Sequence, residues 1–298
     1  MRRQRKANDA VSRSARTHTH NPAKAMPPNQ IKAKEDQKLP DYESPPVGEV
    51  VCGLFFERLP GFKSAHLGLL WTKFINDYPT VEDAAVLAPP GKEPTTEYVV
   101  VPPSPRVWFL HKDGNELIQV QPDWFLYNWR RRTEGDAYPH YRHVIQRFKT
   151  SLAVFKDFLA EHSLGAISPQ QCMLTYINHI PQGEGWHSLE DISGIFVDLS
   201  QLPREKRFLP TPSNISWQRE FVLPEDKGRL IVKLNVGKRR TDDKPVLVFE
   251  LNALGLGHNK SEESVWEWFN TAHEWIVEGF ADLTSQEIQR QLWRRKNV

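Results

Sequence analysis

The stretch SEESVWEWFNTAHEWIVEGFADL, residues 261–283, carries the most complete helical pattern in the chain. Apolar residues repeat along it so that they share about a third of the helix circumference, and acidic residues fall opposite. Ser261, Glu262 and Glu263 predict the helix start, because a hydroxyl caps free amides and acids suit the positive end of the helix dipole. Beyond it, Thr284 and Glu287 predict the capping box of a second, short helix.

The rest of the chain from residue 47 alternates strands and helices. Apolar runs bounded by turn signals predict strands, and Lys112-Asp113-Gly114-Asn115 is typical of a hairpin turn. A helical pattern includes Leu67 and Phe74, and a longer one covers Tyr141 to Leu159. A short strand is expected near 98–101. The predicted strands are 50–56, 106–111, 116–121, 124–130, 171–180, 215–223, 229–236 and 245–254.

This element order predicts an α+β fold with two antiparallel-sheet halves, each crossed by a long helix in a duplicated helix-on-sheet arrangement. The predicted parts are a disordered basic tail at 1–44, an N-terminal half at 45–165 and a C-terminal half at 166–298. The predicted core comprises Phe55, Trp71, Phe74, Trp108, Ile118, Phe148, Leu152, Leu174, Phe249, Trp268, Phe269, Ile276 and Phe280.

Composition places limits on location and partners. The 298 residues include 39% hydrophobic residues, but no apolar run is long enough for a spanning helix or a secretory signal, so we expect a cytoplasmic protein without a membrane partner. Cys52 and Cys172 lie in predicted strands and are expected to be buried, reduced thiols. Residues 1–46 hold ten Lys or Arg and five Asp or Glu, a net charge of +5, which leaves −3 for the remainder.

Known site motifs are incomplete. His273-Glu274 lacks the second histidine that a metalloprotease helix needs four residues later, since position 277 is Val, and an interfacial histidine is the simpler interpretation. Gly255-Leu256-Gly257-His258 has too few glycines for a phosphate-binding loop, and a tight strand-to-helix turn explains it better. The sequence therefore predicts no catalytic residue, no metal site and no cofactor.

Polar residues interrupt several apolar strands and are the candidate ligand-binding residues. Buried polar groups need hydrogen-bond partners. Either these residues pair with one another, at a seam between the halves or on a solvated sheet face, or they line a cleft that orients a ligand. They are Gln119, Gln121, Asn128, Arg130, Thr175, Asn178 and His179.

Nucleic acid is the alternative partner. Aromatic side chains can stack on bases, and neighbouring basic side chains can bind phosphates. Trp129, Arg130, Arg131 and Arg132 are therefore candidate nucleic-acid-binding residues. A flexible basic tail can bind phosphates weakly and without sequence preference, but the acidic balance of the remainder argues against a dedicated nucleic-acid binder. The tail residues concerned are Arg2, Arg3, Arg5 and Lys6.

Short motifs with a recognisable pattern occur in both halves. They are PPV at 45–47, VCGL at 51–54, HLGL at 66–69 with Trp71, RVWF at 106–109, LIQVQ at 117–121, YNWR at 127–130, CMLTYINHI at 172–180, AHEWIV at 272–277 and GFADLT at 279–284. From about residue 44 to the C-terminus the chain resembles a sporadically distributed family of uncharacterised prokaryotic proteins. The resemblance implies no established activity or catalytic residue, and a patchy distribution is associated with mobile genes.

These observations favour a non-enzymatic protein that binds a protein partner or acts as a regulatory factor, in a defence or toxin-control setting. Two alternatives stay open. One is nucleic-acid binding through the basic tail or through residues 129–132. The other is a small-molecule-binding protein or enzyme with a cleft between sheet and helix.

Overall fold

A computed structural model describes residues 38–87, 105–133, 135–199, 208–239 and 242–297. The helices are α1 Ser64–Thr72, α2 His140–Glu161, α3 Ile192–Ile195, α4 Glu262–Leu283 and α5 Gln286–Gln291. The strands are β1 Val47–Phe56, β2 Thr80–Ala84, β3 Arg106–Leu110, β4 Glu116–Gln121, β5 Trp124–Arg130, β6 Pro169–Pro181, β7 Ser216–Val222, β8 Arg229–Lys238 and β9 Pro245–Gly255.

In the described part of the chain, nine strands form a single antiparallel sheet with the order β2-β3-β4-β5-β1-β6-β9-β8-β7. The prediction of two separate sheet halves is therefore wrong. β1 and β6, the first strands of the two predicted halves, pair at the centre, where Val50 faces Tyr176 and Cys52 faces Leu174. Each strand is buried and would otherwise present a row of unpaired N–H and C=O groups, which the pairing satisfies.

Both long helices pack against the same face of this sheet. α2 contacts β1 and β5, and α4 contacts β6, β8 and β9. Phe148 of α2 meets Phe269 of α4 edge to face, with 5.4 Å between ring centroids, and so links the two helices. No helix of the described residues combines the length and the apolar character that crossing a bilayer requires. We call the opposite side of the sheet the helix-free face, because none of α1 to α5 supplies residues to the small apolar cluster there.

The start of α4 is as predicted, and that of α5 differs by one residue. The Ser261 hydroxyl accepts a hydrogen bond from the Ser264 amide at 3.2 Å. At α5 the cap is Ser285, whose hydroxyl accepts from the Ile288 amide at 3.3 Å. Thr284 instead donates its hydroxyl to the Phe280 carbonyl at 2.7 Å. Thr284 is thus occupied with the last turn of α4, and the next hydroxyl caps the following helix.

The predicted core is largely confirmed, with informative exceptions. Ten of its thirteen members are buried, but Phe55, Trp71 and Trp108 keep partial exposure. Trp108 lies on the helix-free face, in the row of β3 residues that points away from Phe109 and the core. Both cysteines are buried free thiols, as predicted. The strand expected near 98–101 lies outside the described residues, and β2 at 80–84 was not predicted.

Two glycines pack their backbones together where β8 begins and β9 ends. A Cβ atom at Gly228 would lie 2.0 Å from the Leu254 carbonyl oxygen, and one at Gly255 would lie 2.0 Å from the Lys227 carbonyl oxygen. Gly228 also has φ of +123°, a conformation that L side chains rarely adopt. The close approach of two strands explains this pair better than a phosphate-binding loop does.

We therefore expect Gly228→Ala to lower the free energy of unfolding by at least about 2 kcal/mol, through backbone strain and overpacking. The matched control is Gly68→Ala in α1, where an added Cβ meets nothing within 4 Å. That change should instead stabilise the helix by about 0.5 to 1 kcal/mol. Urea unfolding of both variants checks the prediction, and equal midpoints for the two would contradict it.

Candidate functional site

A cavity of about 340 Å³ lies on the helix side of the sheet, above β1 and β6. The start of α2, the middle of α4 and the chain segment 39–47 form its walls. Its volume is at the small end of the range usual for ligand pockets, about 300 to 1,000 Å³. Its polar lining residues are Asp41, Tyr42, Tyr138, His140, Tyr141, Arg142, Tyr176, Asn178 and His273.

A pair of tyrosine hydroxyls lies in this cavity. The hydroxyl oxygens of Tyr138 and Tyr176 are 2.8 Å apart, and either can be the donor. Two hydroxyls that share one hydrogen bond keep one O–H free to donate to another acceptor. The nearby Tyr141 hydroxyl is buried and has no hydrogen-bond partner among the described residues. The Tyr141 hydroxyl is therefore a further donor in the cavity wall that has no acceptor among the described residues.

His273 adds a neutral imidazole. Its ring stacks on Tyr141 with 3.8 Å between centroids and an interplanar angle of 10°, which fixes its orientation between α4 and α2. Burial lowers the pKa of His273 to about 4, since the charged form loses solvation. At neutral pH the ring thus carries one N–H donor and one acceptor nitrogen. Its place between the helices agrees with the interfacial histidine predicted from the sequence.

A strained residue marks the edge of the cavity where α2 begins. His140 has φ of +63°, in the left-handed region that non-glycine residues seldom occupy. It directly follows Pro139, and its ring lies 5.6 Å from that of Tyr138. Such backbone strain persists only where the surroundings impose it, and it is common at binding sites.

The chain segment 38–46, here called the strap, covers one side of the cavity and is held by the C-terminal residues. The Lys296 amide donates to the Asp41 carbonyl at 2.8 Å. The Lys296 ammonium also lies 3.1 Å from the Asp41 carboxylate. The Tyr42 hydroxyl donates to the buried Gln289 side chain at 3.1 Å. The strap thus depends on contacts with residues about 250 positions away in sequence.

The predicted ligand-binding residues separate onto the two faces of the sheet, because successive strand side chains point to opposite sides. Only Asn178 lines the cavity, where its amide donates to the Phe249 carbonyl at 3.0 Å. Thr175 and His179 lie on the helix-free face, the former buried and the latter exposed. Gln121 is also on that face, and it donates to the Asp123 carboxylate at 2.6 Å.

The other three predicted residues belong to one polar group on the helix-free face. Gln119 donates to the Asn128 side-chain oxygen at 2.6 Å, so these two amides pair with each other. Arg130 lies beside Trp108, with its guanidinium carbon 6.0 Å from the ring centroid. The interpretation in which the strand residues pair among themselves thus describes Gln119 and Asn128.

The residues predicted to bind nucleic acid differ in their exposure and contacts. Arg2, Arg3, Arg5 and Lys6 lie outside the described residues. Trp129 is 4% exposed and packs on the helix side, with its ring 5.5 Å from Tyr138. Arg131 donates to the Pro45 carbonyl at 3.2 Å. Arg132 is exposed. Trp129 therefore has no free ring face for stacking on a base.

Sequence reasoning missed most of the cavity. Tyr141 was identified only as part of the apolar stripe of α2, and Tyr176 only as part of a strand motif. The available signal was a tyrosine at a core position, since this side chain is apolar along its ring and polar at its end. Tyr138 belongs to the connection before α2 and Tyr176 to β6, so only tertiary packing brings their hydroxyls together.

No group of three or more His, Cys, Asp or Glu side chains within the described ranges is placed to hold a metal ion. Comparison of the chain with family models, curated proteins and solved structures finds no match. The resemblance to a prokaryotic family therefore stays a prediction.

Proposed function

We propose that this protein binds a small, flat and mainly apolar molecule in the cavity between α2, α4 and the sheet, with a hydrogen-bond acceptor on one end of the ligand. The single observation that supports it most is the Tyr138–Tyr176 hydroxyl pair, which retains one O–H to donate inside an aromatic cavity. A few oriented polar groups in an apolar wall are typical of ligand sites.

The surroundings of the pair favour a neutral ligand group. Tyr138 is in ring contact with Trp129, and Tyr176 is 5% exposed, so the acceptor would be held away from water. Neutral His273 supplies a further polar group without charge. A carbonyl oxygen meets these conditions, because it accepts hydrogen bonds and carries no charge that would need solvation.

Two probes of nearly equal shape test the proposal. In 2-acetylnaphthalene a carbonyl is present, and in 2-ethylnaphthalene it is replaced by a methylene. Isothermal titration calorimetry should show that the acetyl compound binds about threefold to tenfold more tightly. This ratio corresponds to one hydrogen bond with a net free energy of about 0.5 to 1.5 kcal/mol. The double variant Tyr138→Phe, Tyr176→Phe should remove this preference while still binding both probes.

The control is Tyr127→Phe. Tyr127 is buried on the same side of the sheet but does not line the cavity, so this variant should keep the preference of the wild type. Absence of binding by both probes would contradict the proposed function. Retention of the carbonyl preference by the double variant would show that the hydroxyl pair is not the donor.

Binding of a protein partner, with a regulatory role in a defence or toxin-control setting, stays a second proposal, and we place both activities in the cytoplasm. The observation in its favour is the helix-free face of the sheet, where Gln119, Asn128 and Arg130 lie on the same side as the small apolar cluster and which no described helix covers. A pull-down from the native host that yields one stoichiometric protein would support it. The nucleic-acid alternative rests chiefly on residues outside the described ranges and stays a prediction.

A further inference from the structure

The last strand of the sheet, β7, has an open edge. It pairs with β8 on one side and ends the strand order, so its other side has no neighbouring strand in the described part of the chain. Such an edge presents a row of unpaired N–H and C=O groups, which can pair with a further strand. Most residues of β7 are exposed, and Val222 is 72% exposed, so another chain can reach this edge.

The pairing with β8 identifies which backbone groups of β7 point outward. The Leu223 amide donates to the Gly228 carbonyl at 2.8 Å, one step beyond the paired residues Val222 and Arg229. Successive residues of an antiparallel strand direct their N–H and C=O groups alternately to its two sides, so the odd-numbered residues of β7 bond to β8. Among the described residues, none bonds to the outward groups of the even-numbered ones. These residues are Ser216, Gln218, Glu220 and Val222.

The charges on β7 select the register in which a second copy of the strand can pair with it. Two identical strands pair antiparallel about a twofold axis perpendicular to the sheet, which keeps each side chain on its own face. Centring the pair on Arg219 or on Glu220 places like charges opposite each other, which destabilises a sheet. Centring it on Gln218 places two neutral amides there, and these can hydrogen-bond to each other. In that register Glu220 faces the uncharged Ser216 of the second copy.

The same register matches the side chains on the helix side of β7. Trp217 faces Arg219 of the second copy, and such a pair is attractive because a guanidinium stacks on an indole. Within one chain these two residues already make this contact, with the guanidinium carbon 5.4 Å from the ring centroid. One step further out, Ile215 faces Phe221 of the second copy, and both are partly buried apolar residues that pack against the core. The pairing therefore extends an apolar row across the interface.

We propose that two copies of this chain pair antiparallel through the outer edge of β7, with Gln218 facing Gln218 of the second copy, and so form one continuous sheet. Backbone hydrogen bonds between the outward groups of the two strands supply the attraction. The strand at the other edge, β2, is less suited to self-pairing, because Glu82 and Asp83 would bring like charges together. No residue of β7 lines the cavity, so this interface is independent of the proposed ligand.

Sedimentation velocity of the full chain tests the proposal. The wild type should be a dimer at about 0.1 mM and dissociate reversibly on dilution. Because position 218 faces itself, Gln218→Lys and Gln218→Glu should each weaken dimerisation at least about fivefold through like-charge repulsion. An equimolar mixture of the two variants should restore the dimer, since each mixed pair places Lys opposite Glu. The matched control is Val81→Lys, at an exposed position of β2, which should dimerise like the wild type.

Amide hydrogen exchange of the wild type gives a second measurement that needs no variant. The outward amides of Gln218 and Glu220 should exchange more slowly as the protein concentration rises, whereas the amide of Arg219, which points to β8, should not change. If a charge variant fails to fold, this pattern decides. The proposal is overturned if the wild type stays a monomer at about 0.1 mM, which would leave the edge to a strand of another protein. It is also overturned if either charge variant dimerises as strongly as the wild type, or if mixing them restores no dimer.

Discussion

Replacing Phe269 by Ala should lower the free energy of unfolding by about 3 to 5 kcal/mol, the usual cost of removing a buried phenylalanine ring. The side chain is 0% exposed at the centre of α4. Its ring contacts Phe148 at 5.4 Å and Trp268 at 5.3 Å between centroids, so the change leaves a cavity where both long helices meet the sheet. Urea unfolding followed by far-UV circular dichroism measures the effect.

Glu274→Ala is the control for that variant, since Glu274 is exposed on the same helix. It should change stability by no more than about 0.5 kcal/mol. If Phe269→Ala had the same denaturation midpoint as Glu274→Ala, the apolar face of α4 would not contribute to the core as described.

Acidification should destabilise the protein through His273. The folded pKa of this histidine is about 4, lowered by burial from its ordinary value of 6.5, which we take for the unfolded chain. Between these values the unfolded state binds a proton that the folded state does not, so stability falls as pH falls from about 6.5 to about 4 and levels off below that. At about 1.4 kcal/mol for each pKa unit, the loss amounts to roughly 3 kcal/mol.

His273→Gln isolates this effect, because glutamine has no proton to bind in the range. Its free energy of unfolding should depend less on pH between 6.5 and 4 than that of the wild type, whatever its value at neutral pH. His258→Gln, at an exposed histidine, is expected to keep the wild-type dependence. Parallel pH profiles for wild type and His273→Gln would show that His273 is not kept neutral by the fold. A direct check is to titrate the His273 ring by NMR.

The individual strands and helices were predicted well from the sequence, whereas their arrangement in one sheet was not. The strand at 116–121 and the strand at 124–130 coincide with β4 and β5, and α4 begins one residue after its predicted cap, Ser261. These features depend on neighbours within a few residues, such as alternation, helical periodicity and capping groups. The wrong fold class arose from one long-range pairing, that of β1 with β6.

The candidate sites show the same limit. The polar residues in the strands correctly indicated buried hydrogen bonds, as Gln119 and Asn128 show. The alternation of side chains along a strand does not reveal, however, which face of the sheet the helices cover. Asn178 and His179 are adjacent in the chain, yet one lines the cavity and the other is exposed on the opposite face. Trp108 was assigned to the core for the same reason.

The sequence by itself determined the helices, the strands, most of the buried positions and the caps, because these follow from contacts between residues close together in the chain. Tertiary structure alone decided that the strands join into one sheet, since the open edges of β1 and β6 are satisfied only by each other. It also decided where Tyr138, Tyr176 and His273 meet, because packing of α2 and α4 on a common face creates the space between them.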